Sequence, residues 1–122
     1  MRSVGSQGKG GQMQALILAF GIGTGLDLPD MFVRLTGEGI VAALQDRALV
    51  YDDGATQDFR ASGATLYNAG SDSWGTWAVR GDQYCSQWPP TDGWTCYDVA
   101  LSGRFVRFLS DDGSYSEGTY TD

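Results

Sequence analysis

The sequence predicts an all-β fold: an up-and-down antiparallel meander of about eight short strands, curled into a small barrel, with one short N-terminal helix packed on it. Three observations carry that prediction. From Arg47 onward, short runs rich in Val, Thr, Tyr, Phe and Trp are broken by Asp53-Gly54, Ser62-Gly63, Gly81-Asp82, Asp92-Gly93, Ser102-Gly103 and Asp112-Gly113. The links between runs are too short for parallel crossovers, so neighbours must pair antiparallel. Registers set separately for three successive strand pairs also agree on one inner face, an agreement that a one-residue slip would destroy.

The chain has 122 residues, enough for one domain. Residues 1–26 carry Arg2 and Lys9, then an apolar run, Met13–Phe20, that fades into Gly21-Ile-Gly-Thr-Gly25. A basic lead, an apolar stretch of about 7–15 residues and small residues afterwards describe a secretory signal peptide. That stretch is shorter than the ~20 apolar residues a membrane span takes. Residues 1–26 are therefore read as a leader for export and residues 27–122 as a single β-barrel-like domain. Gly21, Gly23 and Gly25 do not make a dinucleotide loop, because no helix and no second parallel strand follow them.

One helix is predicted after Thr36, which can cap it. Glu38 lies in the first turn, where the helix dipole favours an acid, and Ile40, Val41 and Leu44 fall on one side. Gly37 and Gly39 weaken it, which limits the element to about two to three turns held by packing. Strands are predicted near 48–52, 56–61, 64–68, 74–80, 83–88, 94–101, 104–110 and 114–120.

The registers follow from turn chemistry. A two-residue turn at Gly81-Asp82, with Gly first, sets Val79 opposite Tyr84 and Trp77 opposite Ser86. Placing Cys85 opposite Cys96 brings Tyr84 to Tyr97. A turn at Ser102-Gly103 then sets Val99 opposite Val106 and Asp98 opposite Arg107. The shared inner face is Trp77, Val79, Tyr84, Trp88, Tyr97, Val99, Val106 and Phe108. Both sulfurs fall on the outer face, with Asp98 and Arg107 as a cross-strand ion pair. Phe105 and Leu109 also fall outside, where the helix around Ile40 and Leu44 is their natural cover.

Two cysteines on adjacent antiparallel strands, behind an export signal, read as a disulfide between Cys85 and Cys96. A redox-active pair would want Cys-x-x-Cys spacing and a nearby lysine or helix N-terminus, and neither is present.

The composition excludes several functions. The formal charge is −7, every acidic residue lies at Asp27 or later, and Lys9 is the only lysine. That balance argues against nucleic acid or an anionic membrane as partner. The absence of histidine removes Ser–His and Cys–His nucleophile pairs and the commonest zinc ligand, and no cofactor or metal is implied. Asp52-Asp53-Gly54 and Asp111-Asp112-Gly113 could hold calcium or work as paired acids, but Asp-Gly is ordinary turn chemistry and no calcium-loop pattern surrounds them.

Four tryptophans between Trp74 and Trp94 are the most concentrated feature. Trp77 and Trp88 fall on the inner face as barrel filling. Trp74 and Trp94 fall on the outer face or at loop edges, beside the rigid Pro89-Pro90 segment, where they could meet a sugar, a flat apolar ligand or a protein.

The order Leu35-Thr-Gly37, Tyr51-Asp-Asp-Gly54, Gly75-Thr-Trp77, Tyr84-Cys-Ser-Gln-Trp88 and Cys96-Tyr97 resembles a group of small exported proteobacterial β-rich proteins of unassigned function. Gly75-Thr-Trp77 is also similar to the Gly-x-Trp of lipocalins, although three predicted strands precede it here. Neither resemblance supplies catalytic residues. The function these residues imply is a non-enzymatic binding or interaction domain, periplasmic or secreted. Its partner would be a protein or a small apolar or sugar ligand met by Trp74, Trp88, Pro89, Pro90 and Trp94. The alternatives are a small carboxylate-based hydrolase using acids such as Asp82 or Asp98, and an envelope structural protein without a ligand.

Overall fold

Period-two alternation between closely spaced turns leaves strands of four to nine residues, each with one apolar face that only its neighbours can bury. The computed structural model describes residues 31–122, so the expected leader at 1–26 lies outside the described residues. The elements are β1 (Val33–Arg34), α1 (Gly37–Leu44), β2 (Arg47–Tyr51), β3 (Thr56–Phe59), β4 (Ala64–Asn68), β5 (Asp72–Arg80), β6 (Gln83–Gln87), β7 (Thr95–Ser102), β8 (Phe105–Leu109) and β9 (Tyr115–Tyr120). Strands β2 to β9 pair antiparallel in chain order, and β9 pairs back on β2 through Leu49 and Tyr120, closing an eight-stranded barrel. Closure leaves these strands no free edge. β1 is an extra strand laid on the C-terminal half of β7, Val33 opposite Leu101. Two residues are too short a run for the alternation to reveal.

All eight residues expected on the inner face are there. Trp77, Tyr84, Val99, Val106 and Phe108 belong to the buried core, with Val79 and Tyr97 packed against it, and Trp88 lines the interior above. Strand β6 pairs with β5 and with β7 in the expected registers: Val79 opposite Tyr84, and Cys85 opposite Cys96. The two cysteines form the expected disulfide, Cα atoms 4.0 Å apart, on the opposite face from Tyr84 and Tyr97.

The last hairpin differs. Val99 meets Phe108 and Leu101 meets Val106, a shift of two residues from the expected pairing. The turn is Gly103-Arg104, not Ser102-Gly103, and Gly103 has a φ of 58°, close to the 60° of Gly81. Both turns put glycine first, at the position whose left-handed backbone excludes most side chains. A two-residue shift keeps every side chain on its face but changes its partner. The expected Asp98–Arg107 pair is therefore absent. Asp98 faces Leu109 and is bridged by Arg34 of β1 at 2.8 Å. Arg107 faces Glu117 of β9 and is bridged to it at 2.8 Å.

The helix also sits differently from expectation. Its cap is Thr36, whose Oγ1 accepts from the Gly39 N–H, with Glu38 in the first turn. Ile40 and Leu44, fully buried, join Leu49, Phe59, Trp77, Val99 and Tyr120 in the barrel core. Tyr120 donates its hydroxyl to the Ala43 carbonyl at 2.7 Å, and the Gly37 N–H donates to Asp82 in the β5–β6 turn at 2.8 Å. The helix thus plugs the barrel end that carries the turns at 60–63, 81–82 and 103–104. It does not cover the outer face, where Phe105 remains 46% exposed. A helix with three buried residues removes more apolar area inside a barrel mouth than against a convex wall.

Candidate functional site

The opposite end, which carries the turns at 52–55, 69–71, 88–94 and 110–114, has no plug among the described residues. Here the inward positions of each strand lie one layer above Phe59 and Trp77. A cavity of about 780 Å³ opens there, within the about 300–1,000 Å³ range of small-molecule sites.

Seven aromatic rings line it, Tyr115 at the rim and six others in a continuous belt. Trp88 meets Tyr67 at 6.1 Å between ring centroids, Tyr67 meets Tyr51 at 6.3 Å, and Tyr51 meets Phe108 at 6.5 Å. Phe108 meets Tyr84 at 5.1 Å, and Tyr84 meets Tyr97 at 6.2 Å. These spacings are those of mutually attractive edge-to-face and tilted pairs. Tyr84 and Phe108 are buried and form the floor, while Tyr51, Tyr67, Trp88 and Tyr97 are half-buried walls.

Trp88 is held in place by a glycine. A β-carbon on Gly75 would come within 2.6 Å of the Trp88 indole, so the bare strand backbone of β5 is what lets the ring lie against it. The indole N–H donates to Ser86 Oγ at 3.1 Å. The loop that follows is closed by the Thr91 N–H on the Trp88 carbonyl at 3.0 Å and by the Gln87 amide on the Asp92 carbonyl at 2.6 Å. Pro89 and Pro90 are exposed on that loop.

The floor also holds a buried polar network. Gln57 Oε1 accepts from the Tyr51 hydroxyl at 2.6 Å, and Gln57 Nε2 donates to Thr65 Oγ1 at 3.0 Å and to the Tyr84 oxygen at 3.2 Å. Thr65 in turn donates to the Asp58 carbonyl at 2.6 Å. Both ends of the amide are therefore satisfied by protein, as burial requires. Burial pushes the Tyr51 and Tyr84 hydroxyls above their ordinary pKa, the latter against an opposing pull from its Ser86 and Gln57 hydrogen bonds. These phenols stay neutral at physiological pH.

No protein-family model, no curated protein and no solved structure matches the chain. Among the described residues no helix is long and apolar enough to cross a membrane, and no group of acids or cysteines is gathered to hold a metal ion.

Of the residues singled out from sequence, Trp88 lines the cavity, while Pro89 and Pro90 are exposed on the loop that follows it and are not among the lining residues. Trp74 is on the outer wall, half exposed, with the Arg60 guanidinium 4.8 Å above its ring. Trp94 is likewise covered by Arg80 at 4.2 Å. Asp82 accepts from the helix N-terminus, and Asp98 from Arg34 and Gln83, so neither faces the cavity. The Asp-Gly turns behave as turns: Asp53 accepts from the Ala55 N–H at 2.9 Å. Asp112 accepts from the Ser114 hydroxyl and N–H, which hold its carboxyl below the usual range. Sequence reasoning missed Tyr51, Gln57 and Tyr67. Carrying the alternation back through Phe59 would have found Tyr67, which pairs with Gln57 two positions further along both strands. Gln57 itself carries no such signal, because a polar residue at an inward position breaks the pattern.

Proposed function

We propose that the chain is a non-enzymatic binding domain, periplasmic or secreted, that takes a small ligand into the open end of its barrel. The observation that carries this reading is the belt of six rings around an open cavity whose floor is already closed by hydrogen bonds. Such a wall gives a ligand apolar area and π faces on a pre-formed frame, and little ordering of the protein is needed on binding. The Cys85–Cys96 disulfide supports a compartment outside the cytosol.

Titration of isotope-labelled protein with a panel of small apolar, amphipathic and sugar probes tests the reading through the tryptophan indole resonances. At least one class of probe is expected to move the Trp88 indole signal and leave that of Trp74 in place. If none moves Trp88, or if Trp74 and Trp94 respond instead, the binding surface lies elsewhere.

A further inference from the structure

Most of the guanidinium groups among the described residues lie over aromatic rings, and the six rings of the cavity belt are left without one. Outside the cavity, three aromatic faces are covered by the protein's own guanidinium groups. Arg60 lies over Trp74, Arg80 over Trp94 at 4.2 Å, and Arg47 over Tyr120 at 3.8 Å. At the cavity rim, Arg107 lies over Phe32 at 3.9 Å and over the lining ring of Tyr115 at 4.2 Å while bridged to Glu117. The remaining two arginines of the described residues are engaged as well, Arg34 with Asp98 and Arg104 with the Tyr120 carbonyl. The six rings of the cavity belt receive no cation from any described residue.

We infer that the cavity takes a small organic cation, a substituted ammonium group enclosed by the rings of Tyr51, Tyr67, Tyr84, Trp88, Tyr97 and Phe108. This rests on the cavity being the binding site. A cation inside an aromatic enclosure is attracted to the negative faces of several rings at once, and the attraction is largest where water is excluded. The charge at the mouth has the matching sign. Asp52, Asp53 and Glu117 line it against Arg107 alone, and Arg107 and Glu117 neutralise one another. The formal charge of −7 adds long-range attraction for a cation and repulsion for an anion. An anion would meet no free basic group in the wall. A sugar would want free amide donors and acceptors, and those of Gln57 are engaged with Tyr51, Thr65 and Tyr84.

Two soluble probes of nearly equal shape separate charge from shape: choline and its uncharged carbon isostere, 3,3-dimethylbutan-1-ol. Both are titrated into labelled protein at physiological ionic strength. Choline is expected to shift the Trp88 indole signal and to bind at least tenfold more tightly than the isostere, a factor set by cation–π attraction in a desolvated site. Tyr67→Leu, which keeps an apolar wall but removes one π face, is expected to weaken choline severalfold and to weaken the isostere less. Equal affinity of the two probes overturns the cation preference while leaving the cavity as the site. No response to choline also overturns it, and the neutral panel described above then decides the cavity reading on its own. The comparison on unaltered protein holds even if the variant folds poorly.

Discussion

At the helix end of the barrel, the interior is filled by Ile40 and Leu44 and tied shut by the bonds of Tyr120 to Ala43 and of Gly37 to Asp82. At the other end the same eight strands carry larger rings on their inward positions, yet these leave about 780 Å³ open. The walls are equally regular at both ends. What differs is that small aliphatic side chains from an added element complete one end, whereas tyrosines with hydroxyls to satisfy stand around the other. Packing is thus concentrated at one end, and the open cavity lies at the other.

The sharpest test of that contrast is to truncate one residue at each end. Phe59 is fully buried in contact range of Trp77, Tyr84 and Phe108. Phe59→Ala is expected to lower unfolding free energy by about 3–5 kcal/mol. Tyr67→Leu at the open end is expected to cost on the order of 1 kcal/mol. Urea unfolding of the two variants compares them directly, and similar losses would abolish the distinction between the ends.

Next in size is the disulfide, which ties β6 to β7 near the open rim. Its 11-residue separation sets a loop whose closure contributes about 2–3 kcal/mol in the chain-entropy estimate. Unfolding of the double variant Cys85→Ser/Cys96→Ser measures it. Hydrogen exchange should quicken first in β6 and β7, not in the helix. A smaller loss, about 1–1.5 kcal/mol, is expected for Tyr120→Phe, which leaves the buried Ala43 carbonyl without its donor.

The smallest effect concerns pH and belongs to the open end. Burial raises the folded-state pKa of Tyr51 and Tyr84 above the unfolded value of 10.0. Their contribution is therefore fully present below pH 10 and is lost progressively as pH rises above it, because only the unfolded chain can ionise them freely. Melting temperature should fall more steeply above pH 10 in the native sequence than in Tyr51→Phe. Identical slopes would show that the floor of the cavity is wet.

The barrel was legible in the sequence but the contrast between its ends was not, for identifiable causes. The closed barrel and its inner face follow from turn spacing and alternation, because period two is unforgiving of slips. The displaced hairpin at Gly103 came from weighting Ser-Gly as a pair over the rule, obeyed at Gly81, that glycine goes first. Plugging of the barrel by the helix was hidden because apolar spacing on Ile40 and Leu44 says that a face is buried, not against which surface. Alternation put Trp88 on the inner face, where it lines the cavity, but the long reach of Arg60 and Arg80 over Trp74 and Trp94 is a three-dimensional fact. Gln57, buried with both amide groups satisfied by distant strands, could only be seen once the barrel was closed.

The central claim is that the open, ring-lined end is where a small molecule enters. Intermolecular nuclear Overhauser effects from the tightest-binding probe test it most directly. Contacts from probe protons to the ring protons of Tyr67, Trp88 and Phe108 are the predicted result. Contacts to Trp74, Trp94 or Phe105 on the outer wall, with none to the three interior rings, would contradict it.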